Sequence, residues 1–386
     1  MIRPMAVAFG LSTGPVVGLG FARFAYALVL PAMRDELGWS FGTAGQQNTA
    51  NAVGHLAGAV IAAPIARRIG ERRAFLGGLV VTALALLGTA ALSDTLGLLV
   101  LRVISGTGGS VCFVVGGGLT SRAGLGLSGR RATVLLGVYF AGSGAGVVLS
   151  GLVVPVVEAA WGWRAAWLLM GGLGLLVLFA AVPAARAVPP EEKPAATRAR
   201  RGWPVGRLAA LLAAYGLFGT GYIAYMTFIV AYLKQAGAGA GEVTAFWTVL
   251  GLAAVAGGFL WGAVLSSVNG GVGTALVLVV LAAGALVPLL STGAVAAFCS
   301  AALFGVAFLN VMTAVTTTAR NLLPPARWTP AIAGLTVAFA LGQCVGPFVS
   351  GLVSDGPGGI KAGLALGFAL IVLAALVALT QPRRTA

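Results

Sequence analysis

Residues 186–207, RAVPPEEKPAATRARRGWPVGR, form the one long polar run in a chain of 386 residues. Four prolines in this run oppose a helix, and six of the 24 basic residues lie in it. On either side the chain is glycine-rich and almost wholly apolar. The two flanks echo each other. A shift of 200 positions carries Gly142, Gly146, Ser150, Gly151, Leu152 and Val153 onto Gly342, Gly346, Ser350, Gly351, Leu352 and Val353. Residues 1–185 and 207–386 therefore read as two repeats, and residues 186–206 as a solvated linker between them.

Composition says where the repeats lie. The chain is 59% hydrophobic and 9% charged, with a mean hydropathy of +1.00. A soluble protein carries about a quarter charged residues, so this chain lacks the polar surface for a water-facing body. Helices that are apolar all round belong in lipid. Twelve segments are long enough to span, at 8–32, 43–67, 74–93, 96–121, 131–157, 163–184, 207–234, 242–266, 273–292, 295–319, 329–353 and 360–380. Their length, and the need to satisfy every backbone group inside the bilayer, make them helices. The expectation is an all-α membrane protein with 12 transmembrane helices in two pseudo-symmetric six-helix bundles. Arg3 before an apolar run resembles a signal peptide, but Arg23 lies inside the run and no small-residue cleavage site follows. It reads as the first span.

The net charge of +15 does not point to nucleic acid, because the charges are sorted by side. Arg67, Arg68, Arg72, Arg73, Arg122, Arg130, Arg131, the linker, Arg320 and Arg327 all fall on one face of the predicted membrane. Asp35, Glu36, Asp94, Glu158, Glu242 and Asp355 fall on the other. Basic loops stay in the cytoplasm, which puts both termini there and suits a bacterial inner membrane. Cys112, Cys299 and Cys344 lie in apolar segments without metal-ligand spacing, and no cofactor is expected.

Ionisable groups within a span are costly and mark function. Arg23 and Arg102 lie in the first and fourth spans, and no Asp or Glu lies deep in any span. Tyr26 shares a helical face with Arg23. Asn48, Asn51 and His55 form a polar stripe in the second span. The second repeat offers uncharged counterparts: Tyr222 and Tyr225 in the seventh span, Trp247 in the eighth, Asn310 in the tenth and Gln343 in the eleventh. Gly142 and Gly146, like Gly342 and Gly346, have the small-residue spacing of close helix packing.

Local signatures add a resemblance that covers the whole chain. ARRIGERR, at 66–73, resembles the loop between the second and third helices of the major facilitator superfamily. Arg68, Gly70, Arg72 and Arg73 match its pattern, while Arg67 and Glu71 depart from it. RVISG, at 102–106, is similar to that superfamily's fourth-helix arginine signature. The fifth-span glycines, Gly146 among them, resemble its antiporter motif, with Ser150–Gly151 in place of that motif's Gly-Pro; a Gly-Pro stands instead at Gly346–Pro347 in the eleventh span. FARFAYALVLPAMRDELGWS followed by AGQQNTANAVGHLAGA looks most like the bacterial YbfB/YjiJ-type branch. The resemblance implies a monomeric secondary transporter that alternates access to a mid-membrane site. Arg68, Gly70, Arg72, Gly146, Gly346 and Pro347 would then serve its conformational change. Two buried guanidinium groups without a buried carboxylate favour a small organic anion, with protons as a coupling ion. An efflux pump for apolar or cationic compounds is the alternative. Catalysis has little to work with, since His55 is the single histidine, and none of the three lysines follows a glycine as a nucleotide loop requires.

Overall fold

The computed structural model describes residues 2–189, 205–268, 271–324 and 327–381. Most of the linker, at 190–204, lies outside the described residues. Among the described residues the regular secondary structure is helical, as apolar segments must be when lipid offers no hydrogen bonds.

The elements are α1 (Ile2–Leu11), α2 (Thr13–Pro15), a π-helix (Val16–Phe24), α3 (Tyr26–Leu37), α4 (Phe41–Ile69), α5 (Glu71–Thr89), α6 (Thr95–Ala123), α7 (Gly129–Leu176) and α8 (Leu178–Ala187). After the linker come α9 (Val205–Gln235), α10 (Ala240–Ser267), α11 (Val272–Leu290), α12 (Ala294–Phe308), α13 (Asn310–Leu322), α14 (Trp328–Ser354) and α15 (Gly359–Leu379).

Among the described residues 11 helical stretches are long and apolar enough to cross a membrane, where the sequence predicts 12. The difference lies at the fifth and sixth predicted spans. They run together as one stretch, Arg131–Ala187, of 57 residues. At ~1.5 Å per residue it is about 85 Å long, far more than a ~30 Å hydrocarbon core. Gly162 breaks its helical path with φ 79° and ψ 172°. A glycine reaches that backbone conformation without steric cost, and no polar loop is needed to make the turn. The outer helix faces carry apolar side chains such as Phe179 (82% exposed) and Phe259 (83%), a surface that suits acyl chains and not water.

The described chain divides into two compact units. Of the described residues, one comprises 2–39, 46–189 and Ala238–Gly251; the other comprises Ser40–Gly45, 205–237 and those from Leu252 onward. Each unit holds a short segment drawn from the opposite half of the sequence.

Within the first unit the π-helix packs backbone to backbone on α7. A Cβ built on Gly146 would fall 2.7 Å from Val16 O and 2.8 Å from Gly20 Cα, both backbone atoms that cannot swing aside. Dispersion between closely approaching backbones holds helices together where lipid removes the hydrophobic drive. Gly146→Ala is expected to destabilise the protein by ~1–3 kcal/mol, the usual cost of overpacking. Its apparent melting temperature in detergent, compared with Gly172→Ala at a site with open space around it, is the measurement. Equal melting of the two variants would remove this packing account.

Candidate functional site

The polar residues predicted from the first repeat converge in the first unit. The π-helix sets the geometry of the first span. Its wider turn is rare and is frequently found at functional sites, and it ends in Arg23–Phe24 before the α-helix resumes at Tyr26. Arg23 is buried, at 3% exposure, and lies close enough to His55 and Arg102 to act electrostatically on both.

The two arginines have different environments. Arg102, on α6, has its guanidinium occupied. Its Nη1 donates to Ala22 O at 2.7 Å, its Nε to Gln47 O at 3.2 Å, and its Nη2 points at Asn48 Oδ1 at 3.5 Å. The Tyr26 ring lies against its flat face, 4.5 Å from ring centre to guanidinium carbon. Arg102 thus ties α6 to α4 and to the π-helix. Arg23 is the opposite case. Its Nε and Nη2 are buried and have no hydrogen-bond partner among the described residues. Those two N–H groups lie side by side on one edge of the guanidinium plane, the fork that receives the two oxygens of a carboxylate or phosphate.

Other polar groups of the first unit are also part-satisfied. Asn51 donates from Nδ2 to Arg102 O at 3.3 Å and Ser105 Oγ at 3.2 Å, while its buried Oδ1 has no partner among the described residues. His55, one turn further along α4, is half-buried, and its buried Nδ1 has no partner among the described residues. Trp247 belongs to this unit too. Its indole rests on Gly151 of α7, and its fully buried Nε1 has no acceptor among the described residues. Along the same helix pair Ser12 meets Gly142, and both Val16 and Gly20 meet Gly146.

Of the residues predicted from the second repeat, Trp247 lies in the first unit, whereas Tyr222, Tyr225, Asn310 and Gln343 lie in the second, and there their polar atoms find partners. Gln343 Nε2 donates to the Tyr222 hydroxyl, Tyr225 Oη shares a hydrogen bond with Ser300 Oγ at 2.5 Å, and Asn310 Nδ2 donates to Val306 O at 3.1 Å. The tyrosines stack in an aromatic cluster, Tyr222 on Phe218 at 4.7 Å and Tyr225 on Phe304 at 3.9 Å. Gly346 packs on Thr220 of α9, beside Pro347.

At the basic face, Gly70 joins α4 to α5 with φ +88°, a turn that only glycine makes freely. Arg68 is exposed. Arg72 donates to Val188 O and Arg122 to Pro189 O, fastening the start of the linker, and Arg122 also pairs with Glu71. The acidic departure from the loop pattern therefore has a cationic partner on α6. Sequence reasoning missed the roles of Gln47, Ser105 and the Ala22 carbonyl. The Gln47 and Ala22 carbonyls are main-chain acceptors and carry no residue-type signal, and a single hydroxyl such as that of Ser105 is too common a group to stand out, so only the three-dimensional contact reveals them.

These features define a multi-pass helical membrane protein of the major facilitator type. The chain belongs to the family described as uncharacterised MFS-type transporter YbfB, whose model matches residues 15–379. No curated protein matches the sequence. Among solved structures, a bacterial homologue of the human lysosomal transporter Spinster, inward-facing and unoccupied, is similar at TM-score 0.74 and 15% identity, covering 97% of this chain and 96% of that one. The nucleoside transporter NupG is similar at TM-score 0.74 and 12% identity, covering 99% and 98%. At such identities the likeness is one of fold.

Proposed function

We propose that this transporter moves a small organic anion by alternating access, with Arg23 as the group that binds the anionic end. The observation that carries the reading is the Arg23 fork: two buried, parallel N–H donors without an acceptor among the described residues, in spans that hold no deep carboxylate. A buried cation left unpaired is expensive, and a ligand carboxylate or phosphate offsets that cost when it binds. Asn51, His55 and Trp247 supply further polar atoms in the same unit, and Arg102 positions the helices that carry them. In this reading twelve crossings form two six-helix bundles in a bacterial inner membrane with both termini in the cytoplasm, and protons serve as the coupling ion, carried with the substrate or through His55.

The alternative cargo, an apolar or cationic compound, is favoured by the aromatic cluster of α9, α12 and α14. Its rings, however, are spent on one another: Phe339 stacks on Tyr215 at 4.7 Å and on Phe218 at 5.5 Å.

The test is thermal stabilisation of the purified protein by a panel of monocarboxylates, dicarboxylates, organic phosphates, amino acids and cationic drugs. Counterflow in proteoliposomes follows for each compound that stabilises. An anion that both stabilises and exchanges is the expected result. Stabilisation by cationic or neutral compounds alone would sink the anion reading and put efflux in its place.

A further inference from the structure

The two segments exchanged between the halves of the chain make matching contacts. In the second unit the head of α4 lies on α14. A Cβ on Gly351 would fall 2.8 Å from Phe41 C and 3.0 Å from Gly42 Cα, and one on Gly45 would fall 2.8 Å from Pro347 C. In the first unit the head of α10 lies on α7. A Cβ on Gly151 would fall 2.8 Å from Trp247 Cδ1, and one on Gly251 would fall 2.7 Å from Val148 Cγ2 and 3.0 Å from Val148 N.

The sequence repeat relates the pairs. A shift of 200 carries Val147, Val148 and Gly151 onto Pro347, Phe348 and Gly351, and a shift of 206 carries Phe41 and Gly45 onto Trp247 and Gly251. In each case an aromatic residue sits on the glycine of one helix, and a glycine four residues later receives the neighbouring backbone. Both contacts belong to the acidic ends of their helices.

The repeat is broken at one point. Asp355, just past the end of α14, accepts hydrogen bonds from Phe41 N at 2.7 Å on Oδ1 and from Gly42 N at 2.9 Å on Oδ2. Its counterpart by the shift of 200 is Pro155, which has no charge to offer. The first N–H groups of a helix have no partner inside it, and a carboxylate there gains from both the hydrogen bonds and the helix dipole. A cap normally comes from the residue just before its own helix. This one comes from a residue 313 positions or more away in sequence, so it joins two elements that regular helix structure does not hold together.

We propose that Asp355 is a latch: its carboxylate clasps the head of α4 to the end of α14, and its release is the step that lets these two glycine-packed ends part. The inference borrows from the transport reading only the need for such ends to part, and it is independent of the cargo. The glycine contacts supply shape and Asp355 supplies a directional, breakable bond. Gly42 is part of the fit, since a Cβ there would stand 2.9 Å from Asp355 Oδ2.

The test is amide hydrogen exchange on the full-length protein in nanodiscs, read on peptides covering Phe41 and Gly42. Asp355→Asn, which keeps the side-chain shape and loses the charge, is expected to speed exchange there about tenfold, with other peptides unchanged. Gly45→Ala, which pushes the same ends apart without touching the carboxylate, is expected to do likewise. In parallel, Ser40→Cys with Gly356→Cys in a background free of the three native cysteines is cross-linked by a short bifunctional reagent. The yield is expected to fall at least threefold when Asp355→Asn is added. Unchanged exchange in Asp355→Asn overturns the proposal. Faster exchange with an undiminished cross-link overturns it as well, because Asp355 is then only a cap. Arg23→Gln separates the two readings: it abolishes anion binding and leaves both latch measurements at wild-type values.

Discussion

Arg23→Gln melts at or above the wild-type temperature without ligand, and loses stabilisation by the organic anion that protects the wild type. Both halves of this result follow from one feature. The Arg23 fork has no acceptor among the described residues, so neutralising the side chain removes an uncompensated buried charge, and the empty protein gains or keeps stability. The bound state loses a bidentate, charge-assisted pair worth roughly 3 kcal/mol, which is about a hundredfold in affinity. Arg23→Lys restores the charge without the fork and is expected to recover only a minor part of that loss. Titration of each variant with the stabilising anion, followed by the shift in melting temperature, is the measurement. Wild-type affinity in Arg23→Gln would take Arg23 out of the binding site.

The fold was legible in the sequence because lipid leaves the backbone few choices. Apolar segments such as 96–121 and 273–292 must be helical, and they appear as α6 and α11. Segment ends were less legible where no polar residue marks them. Gly162 turns the chain inside one long apolar stretch, and a glycine among apolar residues reads equally as a packing position. The π-helix of the first span left no trace in the pattern, because nine residues are too few to separate a wider turn from an ordinary one by side-chain periodicity.

The candidate site was legible as a set of residue types and not as a set of roles. Arg23 and Arg102 look alike in sequence, each a lone cation among apolar neighbours. What separates them is the carbonyls of Ala22 and Gln47, which face one guanidinium and not the other. Trp247, more than 200 positions from Arg23, joins the same unit through its contact with Gly151. No local pattern encodes such a long-range contact. Asp355 was legible only as one more acid on the acidic side.

Arg102→Met is expected to behave in the opposite way to Arg23→Gln. The variant is apolar, of similar length, and removes the donors that Ala22 O, Gln47 O and Asn48 Oδ1 accept from. Tyr26 loses the cation stacked on its face, and a buried carbonyl left without a partner costs ~1–3 kcal/mol. Taken together the loss is expected to reach ~3 kcal/mol or more, a clear drop in melting temperature without ligand. Arg102→Lys does not rescue it, because an ammonium on a flexible stem cannot meet acceptors on the π-helix and on α4 at once in the plane that the guanidinium offers. The variant that survives purification keeps the Arg23 fork, so its anion affinity is expected to fall far less than that of Arg23→Gln. The informative comparison is therefore the pair of variants on two axes, melting temperature without ligand and shift with ligand. If Arg102→Met melts like wild type and loses the anion, the assignments are reversed: Arg102 touches the cargo, and its carbonyl partners belong to a state that binding replaces.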